Sequence, residues 1–312
     1  MTRPLKFRYS VYSSLIILLV LTLFAVIFCP NFVTSFNASV MLKQVSHITL
    51  MAYGATVVIM LGHINVAYGS VMALTGCVAC QVMNDTGNMF AAGLSAVILG
   101  MMIGFFMGKI ITQFEIPSFI VTLVVGMIAR GAALVYTDSA PILQIGELSV
   151  IGQGVVLNIP VPVYIMALCF LITWFTLNKT AFGRQVIAVG ENREAARASG
   201  IRVAQTVIKG YVLDGFFTAV AAIVYMARMN SGLPDSGNSS EFDVITAVVI
   251  GGTSLTGGVG SITGTLIGAI VVGIINNVLN LWSINYNWQS IIKGIVILSV
   301  IIFDYGFKKK QK

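Results

Sequence analysis

The chain has 312 residues, of which 57% are hydrophobic and 9% are charged, and its formal net charge at pH 7 is +7. Soluble domains have about 25% charged residues, so this composition excludes an ordinary soluble enzyme. The positive charge alone would suit a nucleic-acid partner. The basic residues, however, lie in loops and termini and form no basic helix with interleaved aromatic residues, so we exclude a nucleic-acid partner.

Ten apolar segments are predicted to cross a membrane as helices, because about 20 apolar residues span the hydrocarbon core. In chain order they cover 11–29, 42–62, 66–84, 90–109, 117–137, 161–178, 207–227, 243–258, 261–281 and 288–304. A polar loop, 138–160, follows the fifth segment, and a hydrophilic stretch, 179–206, follows the sixth. The sequence therefore predicts an all-α polytopic membrane protein in which residues 1–312 form a single transmembrane domain.

The distribution of basic residues predicts the orientation of these segments. With the N-terminus in the cytoplasm and ten crossings, fourteen of the 18 lysines and arginines fall in cytoplasmic loops or termini. The opposite orientation would place most of them outside, against the positive-inside rule. Both termini are therefore predicted to be cytoplasmic.

Two runs of glycine predict where helices pack closely. Glycines recur every four residues in the fourth segment and again in the ninth, at Gly100, Gly104, Gly108, Gly260, Gly264 and Gly268. Small residues at this spacing let two helix backbones approach each other inside a membrane.

A glycine-rich stretch, 251–260, has some likeness to a phosphate-binding loop. It lacks the Gly-Lys-Ser/Thr ending and the GxGxxG spacing that would hold a nucleotide. We interpret it as a break or tight turn between two membrane helices, formed by Gly251, Gly252, Gly257 and Gly258. Such breaks occur where the backbone is buried in protein or lines a cavity.

Polar side chains inside the apolar segments are costly in lipid, and they often face a transport path. They are Arg130, Asp214, Lys293, Asn276, Asn277 and Asn280. The three amides could bind a neutral polyhydroxylated solute or, equally, join neighbouring helices. Asp214 could form an ion pair with Arg130 or Lys293. A single isolated acid gives little support for coupling to protons or sodium ions.

The sequence predicts neither a metal site nor a nucleophile–base pair. His47 and His63 are the only histidines, and His63, at a segment end beside Asn65, is interpreted as an interfacial residue. The four cysteines all lie in apolar runs, where they are interpreted as small buried residues.

The hydrophilic stretch 179–206 contains a predicted two-turn helix. Asn192 suits its N-cap and Gly200 its C-cap. Glu194 lies near the positive end of this helix and could pair with Arg197. A short, capped, charged helix on the cytoplasmic face suits docking into a groove of another protein, although a merely solvated loop is the alternative.

Here the sequence resembles the permease subunits of bacterial ABC importers for monosaccharides, in the ribose, xylose and galactoside branch. The first matching pattern consists of Thr180, Phe182, Gly183, Arg184, Ala188, Gly190, Asn192, Ala195, Ala196, Gly200 and Ile201. The second consists of Glu241, Asp243, Ile245, Ala247, Val248, Val249, Gly251, Gly252, Thr253, Ser254, Leu255, Gly257, Gly258, Gly260, Gly264, Thr265, Gly268 and Ala269. The sequence departs from the family at Asn65, which is usually an aspartate, and at Thr246, which is usually an alanine.

The resemblance implies an inner-membrane permease of the type II importer class, without enzymatic activity or a cofactor of its own. Its implied partners are a second permease subunit (identical or a paralogue), two ATP-binding subunits and an extracytoplasmic solute-binding protein. The residues implied in contact with the ATPase are Gly183, Arg184, Asn192, Glu194, Arg197 and Gly200. Candidates for the solute path are Asn65, Asp214, Asn276, Asn277 and Asn280. A secondary carrier for a small polar solute is the alternative.

Overall fold

The computed structural model describes residues 5–285, 287–295, 298 and 299, with side chains from residue 14 onward. The end of the tenth predicted segment, residue Arg3 and the tail containing Lys308, Lys309 and Lys310 lie outside the described residues.

Helices account for most of the described chain, which confirms the predicted all-α class. Their bounds are α1 Leu5–Phe28, α2 Ser35–Met60, α3 Tyr68–Thr86, α4 Met89–Phe114, α5 Ser118–Tyr136, α6 Ser149–Gln153, α7 Val161–Lys179, α8 Ala181–Glu191, α9 Arg193–Ala198, α10 Val203–Met229, α11 Ser240–Ile250 and α12 Ile262–Leu281. A 3-10 helix covers Gly146–Leu148, and residues 287–295 are also helical. Within the described residues, α4, α5, α7, α10 and α12 are five helices whose length and apolar composition suffice to cross a membrane.

Helix α10 lies at the centre of the bundle and packs against α2, α3 and α4. Its contact with α4 is made at the predicted glycine run. A Cβ at Gly104 would overlap the carbonyl oxygen of Tyr211, and one at Gly100 would lie 2.5 Å from the carbonyl oxygen of Gly215. The predicted close helix packing is therefore confirmed, and it brings two backbones together without intervening side chains.

The second glycine run joins α12 to α11. Cβ atoms at Gly264 and Gly268 would overlap the carbonyl oxygens of Gly251 and Ala247 respectively. Gly260 lies before α12 and instead faces the side chain of Met60. Close packing is again confirmed, with two of the three glycines forming the contact between the helices.

The eighth predicted segment, 243–258, differs from the structure. Helix α11 has 11 residues and ends at Ile250, so at 1.5 Å per residue it is about 16 Å long. That is half of the hydrocarbon thickness of about 30 Å. The predicted extent of this segment is wrong, because the turn predicted from Gly251, Gly252, Gly257 and Gly258 begins at Gly251 and adopts positive φ at Gly252 (84°) and Gly257 (86°).

The loop 138–160 is folded rather than irregular. Strand β1, Ile142–Leu143, pairs antiparallel with β4, Ser231–Gly232, which directly follows α10. Strands β2, Val155–Val156, and β3, Ile159–Pro160, form a second pair. This loop therefore covers the end of α10 that lies away from α8 and α9.

Candidate functional site

Helices α8 and α9 form an exposed pair at one end of the bundle. The predicted two-turn helix is α9, where Oδ1 of Asn192 accepts a hydrogen bond from the backbone nitrogen of Ala195 at 2.9 Å. At the other end, the backbone nitrogen of Ile201 donates to the carbonyl oxygen of Ala196 at 3.0 Å, and Gly200 adopts a φ of 82°. These bonds satisfy the free backbone groups at both ends of a very short helix.

The predicted pairing of Glu194 with Arg197 is wrong. The structure shows no ion pair between them, and the one found among the described side chains is Lys293 with Asp243. Glu194, Arg197 and Arg184 are all exposed, and water weakens an ion pair at such positions. Their charges therefore remain available to another protein. Gly183, by contrast, is buried and packs closely on the backbone of Leu177, at the corner between α7 and α8.

Glycines join the end of α8 to two other parts of the chain. We call this contact the glycine junction: Met60, Gly62, Gly190, Gly257 and Gly258. The backbone nitrogen of Gly258 donates to the carbonyl oxygen of Met60 at 2.9 Å, and a Cβ at Gly190 would overlap that oxygen. The turn after α11, the end of α2 and the end of α8 thus meet through main-chain atoms.

His63 and Arg193 connect α9 to the segment after α2. The Nη2 atom of Arg193 lies 2.7 Å from Nε2 of His63, and His63 is only 4% exposed. Burial, followed by the nearby guanidinium of Arg193, lowers the pKa of His63 to about 4. The imidazole is therefore neutral at pH 7 and accepts the hydrogen bond. His63 is therefore a buried partner of α9.

Residues 61–67 interrupt the helical structure between α2 and α3 inside the bundle. Side chains replace the missing helical hydrogen bonds. The backbone nitrogen of Ile64 donates to Oγ of Ser118 at 3.1 Å, and that of Val66 donates to Oγ1 of Thr122 at 3.3 Å. These two bonds satisfy backbone groups that the helices on either side do not reach.

Asn65 and Asp214 form a buried pair between this segment and α10. Nδ2 of Asn65 donates to Oδ2 of Asp214 at 2.7 Å, while its Oδ1 accepts from the backbone nitrogen of Ala67 at 2.8 Å. Asn65 is 3% exposed and Asp214 is 0% exposed. The amide at the position where the family usually has an aspartate therefore supplies a donor to a carboxylate on another helix.

The predicted ion pair of Asp214 with Arg130 or Lys293 is wrong, because both basic residues have other partners. Arg130 donates to the carbonyl oxygen of Pro234 and to Oδ1 of Asn238. Lys293 lies 3.0 Å from Oδ2 of Asp243. Packing thus places Arg130 beside the segment before α11, and Lys293 beside α11 itself.

The three asparagines of α12 bind neighbouring helices. Nδ2 of Asn276 donates to Oδ2 of Asp243 at 3.1 Å, and Asn277 pairs with Asn37 on α2. Asn280 is exposed and accepts from Nε2 of Gln289 at 3.0 Å. The structure does not bring these amides together with Asn65 and Asp214. Asn277 belongs to a buried helix contact, whereas Asn276 lies in a polar group with Asp243 and Lys293.

Sequence reasoning missed several of these partners, among them Asn37, Ser118, Thr122 and Asp243. Asp243 was visible only as part of the family pattern, and Asn37 lies before the predicted start of the second segment. Nothing in the sequence placed either residue opposite α12. Within the described residues, no group of three or more His, Cys, Asp or Glu side chains is arranged to hold a metal ion.

An open cleft of about 600 Å³ lies beside α9. Its walls include Arg193, Arg197, Glu115, Pro117 and His63. It separates α9 from the corner between α4 and α5, so α9 is not packed tightly on that side. The sequence contained no sign of this space.

The apolar helices and the exposed α8–α9 pair define a polytopic membrane protein of the transport-permease class. The family model described as the permease component of branched-chain amino acid transport systems matches residues 37–301. The chain belongs to this family, and the predicted inner-membrane permease is confirmed.

Several curated relatives cover nearly the whole chain. The ribose import permease protein RbsC of Escherichia coli (strain K12) is 41% identical over 96% of this chain and 94% of its own length. RbsC of Bacillus subtilis (strain 168) is 39% identical over 92% and 90%, respectively. The L-arabinose transport system permease protein AraH of E. coli (strain K12) is 32% identical over 96% and 92%. The similarity to permeases of monosaccharide importers is thereby confirmed. No solved structure matches the chain.

Proposed function

We propose that this chain is the permease subunit of an ATP-driven, binding-protein-dependent importer for a small neutral polyhydroxylated solute, a monosaccharide. The proposal is supported chiefly by the exposed, capped α9 helix, which is attached to the membrane helices through the glycine junction and through Arg193. Relatives named for ribose and L-arabinose transport align over more than nine tenths of the chain and support a pentose as the solute.

The proposed topology has ten crossings with both termini in the cytoplasm, in a single permease domain of residues 1–312. The basic residues support this orientation, as the positive-inside rule requires. In this arrangement α8 and α9 face the cytoplasm. The short helix α11 crosses together with the non-helical residues 231–239 before it, which pack against α3 where Gly237 meets Gly69.

The proposed complex contains a second permease subunit (a copy of this chain or a paralogue), two ATP-binding subunits and an extracytoplasmic solute-binding protein. The ATPase contact involves the exposed side chains of Arg184, Glu194 and Arg197, with Gly183, Asn192 and Gly200 holding α8 and α9 in position. This chain performs no covalent chemistry, and ATP is bound by the partners. ATP binding shifts the pore between outward-open and inward-open states, through contacts that differ between the two states.

The solute path is proposed to pass near the amides of α12 rather than through the glycine-packed centre. Asn280 is exposed, and Asn276 has a buried Oδ1 without a hydrogen-bond partner among the described residues. Uncharged amides can bind the hydroxyl groups of a neutral sugar. Asn65 and Asp214, the other predicted candidates, are proposed to join the segment after α2 to α10 rather than to line the path, because they bind each other in this structure.

Uptake of radiolabelled ribose by proteoliposomes containing the assembled complex tests this function. We expect uptake that requires ATP and the solute-binding protein and that persists when ion gradients are collapsed. Uptake that instead follows an ion gradient without ATP would indicate a secondary carrier. Leucine is the matched control solute, because the family description refers to branched-chain amino acids. ATP-driven leucine uptake without ribose or arabinose uptake would overturn the sugar assignment.

A further inference from the structure

We propose that residues 61–67 act as a connector that passes movements of α9 to α5 and α10. This inference rests on the proposed ATP-driven function, because it assigns the route by which an ATPase docked on α9 would act on the membrane helices. Three separate contacts hold the connector, and each comes from a different part of the bundle.

The first contact joins the connector to α9. Arg193 is the first residue of α9 and is held 2.7 Å from Nε2 of His63. His63 is buried and Arg193 is exposed, so the contact is partly buried, and a displacement of α9 acts on His63 directly. At the start of the same segment, the glycine junction brings Met60 against Gly190 at the end of α8 and Gly62 against Gly257 in the turn after α11.

The second contact joins the connector to α5. Ser118 and Thr122 lie four residues apart, one turn of α5, and accept hydrogen bonds from alternate backbone nitrogens, those of Ile64 and Val66. Residues four apart lie on one face of a helix, so the two hydroxyls reach the connector from the same side. The position of the connector and that of the first turns of α5 are therefore linked.

The third contact joins the connector to α10. The hydrogen bond from Asn65 to Asp214 is 2.7 Å long and is fully removed from solvent. Because both side chains are buried, breaking this bond would leave a polar group without a partner and without water to replace it. Asn65 also fixes its own segment by accepting from Ala67, so the side chain cannot rotate away without losing both bonds.

The surroundings leave space for this movement. The cleft of about 600 Å³ has Gly62, His63 and Ile64 on its wall together with Arg193 and Arg197. Packed protein interiors resist compression, so movement requires open space at an interface. Backbone hydrogen bonds tie residues 61–63 to α2 and Ala67 to α3. Between these ends, Ile64 and Val66 donate to side chains of α5 instead, so the position of residues 64–66 depends on the contacts described above.

The experiment measures ATP hydrolysis by the assembled complex in proteoliposomes, without solute and with ribose-loaded binding protein. Arg193→Ala breaks the contact with α9. Asn65→Asp places two carboxylates against each other, which is unfavourable without a shared proton. We expect each variant to assemble, to retain basal hydrolysis and to lose the ribose-stimulated part by about fivefold to tenfold.

The exchanged pair provides a stringent control. In the double variant Asn65→Asp/Asp214→Asn, the new amide at 214 donates to the new carboxylate at 65, and Ala67 retains its acceptor. We expect stimulation to return to within about twofold of the original protein. Lys209→Ala removes an exposed charge from α10 without touching the connector, and it should leave stimulation unchanged.

The ratio of stimulated to basal ATP hydrolysis is measured only on assembled complexes. A change in this ratio therefore reports a change in coupling and not a loss of folded protein. Wild-type stimulation in both Arg193→Ala and Asn65→Asp would overturn the connector. Should Asn65→Asp fail to assemble, Arg193→Ala decides alone, because Arg193 is exposed on a cytoplasmic helix. An unmodified complex that shows neither ATP-dependent uptake nor stimulation with ribose, arabinose or leucine would instead overturn the proposed function.

Discussion

Asn37 and Asn277 exchange two hydrogen bonds between α2 and α12. Nδ2 of Asn277 donates to Oδ1 of Asn37 at 2.8 Å, and Nδ2 of Asn37 donates to Oδ1 of Asn277 at 3.0 Å. Both side chains are buried. Asn277→Leu leaves the amide of Asn37 without this partner, so we expect it to lower the free energy of unfolding by about 1–2 kcal/mol. Thermal unfolding in detergent measures the change.

The double variant Asn37→Leu/Asn277→Leu tests whether the loss comes from this pair. Each single variant leaves one amide facing an apolar residue, whereas the double variant removes both amides. The loss of unfolding free energy in the double variant should therefore be smaller than the sum of the two single losses. Strictly additive losses would show that the two amides stabilise the protein independently.

The close contact between α4 and α10 predicts that stability depends strongly on the size of the side chain at position 104. Gly104→Ala places a Cβ on the carbonyl oxygen of Tyr211. Because two backbones must then separate, we expect a loss of about 1–3 kcal/mol. Gly131→Ala is the matched control, since Gly131 is also helical but has open space around it. Alanine there should be neutral or slightly stabilising, because it favours helix. Equal effects of the two substitutions would contradict the close approach.

His63 predicts an acid-sensitive contribution to stability. Its pKa is lowered from 6.5 to about 4 by burial and by Arg193, so the folded protein favours the neutral imidazole. That contribution is complete above pH 6.5 and is lost as the pH falls from 6.5 toward 4, by at most about 3 kcal/mol.

The variant His63→Gln isolates this contribution, because glutamine does not titrate and its oxygen still accepts from Arg193. Unfolding temperatures of both proteins are compared between pH 7.5 and pH 4.5. We expect the original protein to lose more stability than the variant below pH 6.5. Parallel curves would mean that His63 is protonated equally in the folded and unfolded states.

The glycine junction predicts that a single methyl group disturbs the cytoplasmic end. Gly190→Ala places a Cβ on the carbonyl oxygen of Met60, whereas Gly93→Ala, also in a helix, meets its nearest side-chain atom at 4.0 Å. We expect Gly190→Ala to reduce solute-stimulated ATP hydrolysis by about fivefold and to lower the unfolding temperature. Gly93→Ala should preserve both quantities.

Local features of this fold could be predicted from the sequence. The apolar segments, the caps at Asn192 and Gly200, and the glycine spacing in α4 each depend on a few neighbouring residues and on one helical period. The end of α11 could be predicted only in part: the glycine-rich stretch 251–260 indicates a break, whereas the eighth predicted segment runs through it to residue 258. The conformation of Gly251 and Gly252, rather than hydropathy, ends that helix.

Partners distant along the chain could not be predicted. Asn65 and Asp214 are separated by 149 positions, and Asn37 and Asn277 by 240. Which faces of two helices meet depends on the packing of the whole bundle, and hydropathy alone does not distinguish a buried polar partner from a pore-lining one. The same reason explains why Asp214 was assigned to Arg130 or Lys293. The opposite charges of these residues favoured an ion pair, whereas packing placed the side-chain amide of Asn65 next to Asp214.

The glycine junction has a mechanical consequence. Side chains can absorb a small displacement by changing rotamer, but main-chain atoms in direct contact have no such freedom. The hydrogen bond from Gly258 to Met60 and the backbone approach of Gly190 therefore form a stiff joint. A shift of α8 by a fraction of an ångström should reappear, almost undiminished, at the end of α2 and in the turn after α11.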